Sequence, residues 1–243
     1  MIKSVAFDLD GTLLNRSESI RHYCDYFVLQ HLDWFENHND TTLTTDRMYT
    51  LYRDSLSKTP EYYATVIDQF NWVKRPDPEY LDRHYRECMI TFCIPQNNVY
   101  TTLRALKSMG ITFGIITNGV SMHQTHKIER LNLHQVVDMI LISSDCGYKK
   151  PDAEIFEAYC SEMRVKPEET LFVGDDAMRD IWGAASVGMH TAWFSDGRPW
   201  KHQDFEPERI IDDLIESITF IQHLKTSSES AENDARSLSF TQP

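Results

Sequence analysis

With 243 residues, 41% of them hydrophobic and 25% charged, the chain can bury one large core, or one core and a smaller satellite. Its formal net charge of −13 argues against nucleic acid or an anionic membrane surface as the main partner, but not against a small anionic substrate in a pocket holding a cation. No run approaches the roughly 18 apolar residues of a membrane span.

Residues 5–9 read as a short buried strand that finishes in Asp8-Leu9-Asp10, followed by Gly11 and Thr12. Residues 15–95 change character. Ile20, Tyr23 and Phe27, then Tyr62 or Tyr63, Val66, Ile67, Phe70 and Val73 recur at helical spacing without a strand-like run. Half of the aromatic residues fall in this third of the chain, which predicts an all-helical insertion whose aromatics pack a core. From Gly110 onward, apolar runs at 111–117, 136–143, 170–174 and 190–194 alternate with helical stretches at 121–131, 153–163 and 177–187. Together with the first run they predict about five short buried strands joined by helical crossovers, an α/β fold with a doubly wound parallel sheet. The expected division is an α/β core over 1–14 and 96–224, a helical segment over 15–95, and a disordered polar tail over 225–243.

Five cysteines, an odd count without CxxC spacing, and an N-terminus without a secretory pattern point to reduced thiols and a cytoplasmic protein. The glycosylation-like patterns at Asn15 and Asn39 therefore carry no weight.

Ligands of an open parallel sheet bind outside the carboxyl ends of its strands. The first strand delivers Asp8 and Asp10 there, the second Thr117-Asn118-Gly119, and the fourth Gly174-Asp175-Asp176 with Asp180 following. The loop after the third contains Lys149, Lys150 and Pro151. Two residues apart on one strand face, the carboxylates of Asp8 and Asp10 lie about 6.6 Å apart. They repel by about 2.5 kcal/mol at an effective dielectric of 20. Adding Asp175, Asp176 and Asp180 leaves two solutions: some carboxylates stay protonated, or a hard cation sits among them. Oxygen ligands without a nearby His or Cys cluster suggest Mg²⁺ rather than Zn²⁺. A lysine, a threonine hydroxyl and a turn offering backbone N–H groups are what a phosphoryl group needs, so one aspartate attacks phosphorus and its neighbour moves the proton. Which of the two attacks is not decided by spacing.

The ordered set of DxDGT at 8–12, Thr117 closing the second strand, Lys150 before Pro151, and GDxxxxD at 174–180 resembles the phosphatase branch of the haloacid dehalogenase superfamily. The resemblance covers about 1–15 and 96–215, and the helical segment matches that family's cap in position and class. It implies a Rossmann-like core and a Mg²⁺-dependent phosphatase of a small phosphate ester. Asp8 would be the nucleophile that forms an aspartyl-phosphate, and Asp10 would protonate the leaving alcohol and later deprotonate water. Mg²⁺ would be held by Asp8, the backbone carbonyl of Asp10 and Asp175, supported by Asp176 or Asp180. Thr117, Asn118 and Lys150 would bind the transferred phosphoryl. The cap would read the leaving group, in keeping with a sugar phosphate, a nucleoside monophosphate or another small organic phosphate. Oligomeric state stays open.

Simpler roles compete at several positions. Asp8 and Asp10 could be a solvated strand end, and Thr117-Asn118-Gly119 an ordinary turn. One of Asp175 and Asp176, preferentially Asp176, could only cap the helix that follows. Lys149 reads as a surface lysine. The glycines at 183 and 188 have P-loop spacing but lack the following Lys-Ser/Thr, and His123 and His126 share a helix with nothing to complete a ligand set. Other activities considered are a phosphomutase of the same superfamily, a dehalogenase, which would lack the acid/base Asp10, and a phospho-receiver, whose acidic pair and acceptor come in a different order.

Overall fold

The computed structural model describes residues 1–36, 40–54 and 59–226. Asn39 lies outside them, and so does the expected tail apart from its first two residues. The apolar runs become one six-stranded parallel sheet: β1 (Ser4–Phe7), β2 (Thr112–Thr117), β3 (Met139–Ile142), β4 (Thr170–Gly174), β5 (His190–Phe194) and β6 (Arg209–Ile211). The order is β3-β2-β1-β4-β5-β6, so the chain builds outward on one side of β1 and then restarts on the other. That reversal makes a crevice at the carboxyl ends of β1 and β4, where doubly wound sheets bind ligands. The register aligns Phe7 with Val173, and the Asp8 amide donates to the Val173 carbonyl at 2.9 Å, one step past the end of β1.

β1 and β4 are buried along their whole length, as expected of strands covered on both faces. Two expectations change here. β3 is an edge strand whose Ile140 is exposed, so its apolar run is not a buried strand. β6 is a sixth strand, only three residues long and preceded by charged side chains, too short for periodicity to mark.

Two compact units divide the chain: Met1–Leu13 with Pro95–Pro243, and Leu14–Ile94. The second holds α1 (Arg16–Gln30), α2 (Thr41–Asp54), α3 (Pro60–Ile67) and α4 (Pro78–Met89). Local chemistry sets their starts. Asn15 Oδ1 accepts from the Glu18 amide at the head of α1, and Thr59 and Asp77 cap α3 and α4, each followed by proline at the first helical position. The core of this unit is aromatic: Tyr23, Phe27, Tyr52 and Tyr63 are fully buried with Ile20, Val28, Val66 and Leu81. Val73, expected in that stripe, is exposed, because α3 stops at Ile67 and the helical period ends with it. The ends of the segment meet, the Asn15 amide donating to the Ile94 carbonyl at 2.8 Å.

In the α/β unit the Gln96 amide donates to the Leu13 carbonyl at 2.9 Å, so the chain leaves and re-enters at adjacent points. The crossovers are α5 (Val99–Ser108), α6 (Ser121–Arg130), α7 (Ser143–Cys146), α8 (Ala153–Met163) and α9 (Gly183–Ser186), with a last helix over 216–226. The stretch expected as one helix over 177–187 begins as a π-helical turn, Ala177–Trp182, before α9. Among the described residues no helix is long and apolar enough to cross a membrane.

Candidate active site

Carboxylates from two strand ends meet at the crevice. One oxygen each from Asp8, Asp175 and Asp180 lies within 4.8 Å of the others. At that separation each pair of charges repels by about 3 kcal/mol at an effective dielectric of 20, so the cluster needs cations. Lys150 supplies one: its Nζ lies 2.6 Å from Asp8 Oδ1 and 2.7 Å from Asp180 Oδ1, with only 3% of the residue exposed.

Two glycines make the gathering sterically feasible. Gly11, at φ +98°, precludes an ordinary side chain, and a Cβ there would lie 2.7 Å from Asp175 Oδ2. A Cβ on Gly174 would lie 2.5 Å from Asp180 Oδ2, the oxygen that accepts from the Asp176 amide. The π-helical turn places Asp180 in this spot, almost fully buried.

Burial pushes the Asp8 carboxyl up to about 8 against the pull of Lys150, with Asp180 and Asp175 adding to the rise. It also pushes Asp175 up to about 6, where Asp180 adds and Arg198 opposes. For Lys150 burial favours the neutral form, but the charges of Asp180 and Asp8 outweigh it and raise the ammonium above its ordinary value. One ammonium cannot neutralise three carboxylates. The donors are all oxygens, and the cluster contains neither His nor Cys, which suits a hard divalent cation.

The other expected residues divide into distinct settings. Asp10 stands apart from the acidic cluster. Its carboxylate accepts from Lys127 Nζ at 2.7 and 2.8 Å and from Gln124 Nε2 at 2.8 Å. Asp8 and Asp10 do not share a strand face as expected, since β1 ends at Phe7 and both residues lie beyond it. Thr117 is buried at the end of β2, where its Oγ1 accepts from Gln124 Nε2 at 2.6 Å. The Asn118 carboxamide bridges the Lys150 backbone: Nδ2 donates to the Lys150 carbonyl and Oδ1 accepts from the Lys150 amide, both at 2.8 Å, which leaves the second Nδ2 hydrogen for another acceptor. Asn118 thus orients Lys150. The Gly119 amide donates to Ser143 Oγ.

Asp176 caps the turn after β4, accepting from the Met178 and Arg179 amides, and pairs with the Arg179 guanidinium. Burial would raise it, but the hydrogen bonds and charge of Arg179 hold it below the usual carboxylate range. Lys149 is exposed, as a surface lysine would be, and His126 points to solvent.

Three residues at the site were not read from the sequence. Gln124 and Lys127 lie on α6 at the i and i+3 spacing that Ile128 continues on the inward side. The same spacing relates His123 and His126 on this helix, so spacing alone does not single out the pair that faces inward. Arg198 comes from the irregular segment between β5 and β6, reaching Asp175 Oδ2 at 3.2 Å, while Trp193 Nε1 donates to the Asp175 carbonyl at 2.8 Å. No periodicity marks a loop arginine.

Comparison with known proteins agrees on one family. The family described as haloacid dehalogenase-like hydrolase matches residues 5–194. The glyceraldehyde 3-phosphate phosphatase of Methanocaldococcus jannaschii is 29% identical over 221 residues, spanning 90% of this chain and 94% of that protein. The enzyme of the same name from Pyrococcus furiosus is 32% identical over 222 residues, spanning 88% of this chain and 89% of its own. Among solved structures, magnesium-bound YfnB from Bacillus subtilis matches with a TM-score of 0.72 at 20% identity, covering 90% of this chain and 98% of YfnB.

Proposed function

The chain belongs to the haloacid dehalogenase-like hydrolases, and from that membership we propose that it is a Mg²⁺-dependent phosphatase acting on a small phosphorylated metabolite through an aspartyl-phosphate on Asp8. The observation that carries this reading is the buried Asp8–Lys150–Asp180 pairing beside Asp175 at the carboxyl ends of β1 and β4. Asp8, Asp175 and Asp180 would hold the cation, with the backbone carbonyl of Asp10 as a further donor. When bound, Mg²⁺ neutralises the carboxylates and the phosphoryl oxygens that must approach them.

The chain's own groups account for the rest. Asp8 attacks phosphorus as the bond to the ester oxygen breaks, and Asp10 gives its proton to that oxygen. Lys150, kept charged by its two carboxylate neighbours, offsets the negative charge of the transferred group. The Thr117 hydroxyl accepts from Gln124, which leaves its own hydrogen to donate to a phosphoryl oxygen. Water then attacks the aspartyl-phosphate and passes a proton to Asp10, freeing Asp8 and inorganic phosphate. Asp176 contributes through the turn that it caps. The names of the relatives support a triose or other sugar phosphate as the first substrate to try.

The test is release of inorganic phosphate from a panel of sugar phosphates, nucleoside monophosphates and small organic phosphates, with Mg²⁺ and with EDTA. Release should require the metal and fall by at least about 10³-fold in Asp8→Asn. An active Asp8→Asn enzyme would overturn the nucleophile, and an isomer formed without phosphate release would make the protein a mutase.

A further inference from the structure

We propose that Gln124 and Lys127 are positioning residues that hold Asp10 for its proton transfers; the inference rests on the phosphatase reading above. The bland alternative is a solvated ion pair between a helix lysine and a turn aspartate, which contributes little. The geometry differs from that. Both Asp10 oxygens are taken, Oδ1 by Lys127 and Oδ2 by Lys127 and Gln124 together. Gln124 is 3% exposed, and its Oε1 accepts from Lys127 Nζ at 2.9 Å, so the two donors are also tied to each other. The amide nitrogen that reaches Asp10 also reaches Thr117 Oγ1, which joins the acid/base carboxylate and the hydroxyl at the end of β2 in one frame.

The backbone is shaped for this frame. A Cβ on Gly119 would lie 2.8 Å from Gln124 Cγ and 2.9 Å from its Cδ, so the glycine before α6 makes room for the glutamine. Gln124 and Lys127 then stand one turn apart on the same side of the helix.

Chemically, the arrangement is that of the ionised carboxylate, the state Asp10 reaches after giving up its proton; the protonated acid gives up one of these contacts to carry the proton, and regains it on ionisation. When the ester P–O bond breaks and the Asp8–phosphorus bond forms, the proton of Asp10 moves to the departing oxygen. The resulting anion is met by the Lys127 ammonium and the Gln124 amide. When water attacks phosphorus and the Asp8–phosphorus bond breaks, the proton of that water returns to the same carboxylate, held at the same place. General acid–base catalysis contributes about 10²–10⁴-fold, and loss of the groups that place the acid should forfeit part of that, about 10–100-fold.

The test compares kcat/KM for an alkyl phosphate and for p-nitrophenyl phosphate in wild type, Lys127→Met, Lys127→Arg and Gln124→Leu, with Mg²⁺ saturating and folding checked by thermal melting. For either ester kcat/KM reports the steps up to alcohol release. An alkoxide needs the proton of Asp10 as it leaves, whereas a nitrophenolate departs without it. The expected result is a fall of about 10–100-fold for the alkyl ester in Lys127→Met and less than about 3-fold for the aryl ester, with Lys127→Arg recovering most of the loss. Equal losses for the two esters, or none, would overturn the proposal, and Lys127→Met decides it alone if Gln124→Leu does not fold. A wild type that hydrolyses neither ester, or an Asp8→Asn enzyme that still does, would instead remove the phosphatase reading on which it stands.

Discussion

The α/β unit and the helical unit both bury ionisable side chains, but the first keeps one of them, Lys150, charged. In the first, Asp8, Lys150 and Asp180 face one another at 2.6 and 2.7 Å, and the ammonium stays charged. In the second, Tyr23, Tyr52 and Tyr63 are fully buried, and burial pushes their hydroxyls further up, away from ionisation at neutral pH. His84, its Nδ1 at 3.2 Å from the Tyr23 hydroxyl, is pushed down to about 4 by burial and by His31. Burial by itself neutralises; charge persists inside only where opposite charges answer it. The α/β unit therefore carries charge for chemistry, while the titratable groups of the helical unit serve as packing.

Removing the central cation tests this contrast most severely. Lys150→Met leaves Asp8 and Asp180 buried without their partner, and turnover should fall by at least about 10²-fold. Phosphate-release assays at saturating Mg²⁺ check this, and a variant with a tenth or more of wild-type turnover would show that the buried charge is not part of the reaction. The comparison sharpens with pH. Asp8 has a folded value of about 8 against an ordinary 3.8, so the metal-free native state binds the extra proton and loses stability as pH rises toward 8. Between pH 7 and 8, above the ordinary value of 6.5 at which an unfolded His84 loses its proton, the melting temperature of EDTA-treated protein should drop, and Mg²⁺ should restore more at pH 8 than at pH 7. A Mg²⁺ effect of equal size at both values would contradict the cause assigned to the Asp8 shift.

Smaller effects separate neighbours. Asp176→Ala should cost about 1 kcal/mol in a urea melt, the value of a lost helix cap, while turnover stays within about 10-fold. A loss of 100-fold or more would return Asp176 to the metal's surroundings. The least effect is expected in the helical unit. Among the described residues the buried Tyr63 hydroxyl has no hydrogen-bond partner, so Tyr63→Phe should shift stability by no more than about 0.5 kcal/mol and leave turnover unchanged. A clear loss of turnover there would mean that the aromatic core does more than pack.

Much of the α/β unit was legible because its strands are apolar runs with polar residues at their carboxyl ends, and a parallel sheet brings those ends together. Asp8, Thr117, Lys150, Asp175 and Asp180 could therefore be placed on one rim before their distances were known. What escaped was what depends on rotation about a helix or on the path of a loop. Lys127 reaches Asp10 only because α6 turns that face inward, and Arg198 reaches Asp175 from a segment without a period. Asn118 shows a further limit: its position is at the rim, but its side chain also holds the Lys150 backbone, which no spacing reveals. Ile140 shows the same for burial, since a run of apolar residues does not say that its strand lies at a sheet edge.

The hydrogen bond from Gln96 to Leu13 has a consequence for how such a chain diversifies. The α/β unit is interrupted right after β1, yet the two cut ends lie side by side, as the Asn15–Ile94 bond makes them in the segment between. An insertion between adjacent ends can be lengthened, shortened or exchanged without disturbing the register of β1 against β4. The acidic cluster is thereby insulated from the inserted part of the sequence, and ancestry can rewrite some 80 residues while Asp8 keeps its place beside β4.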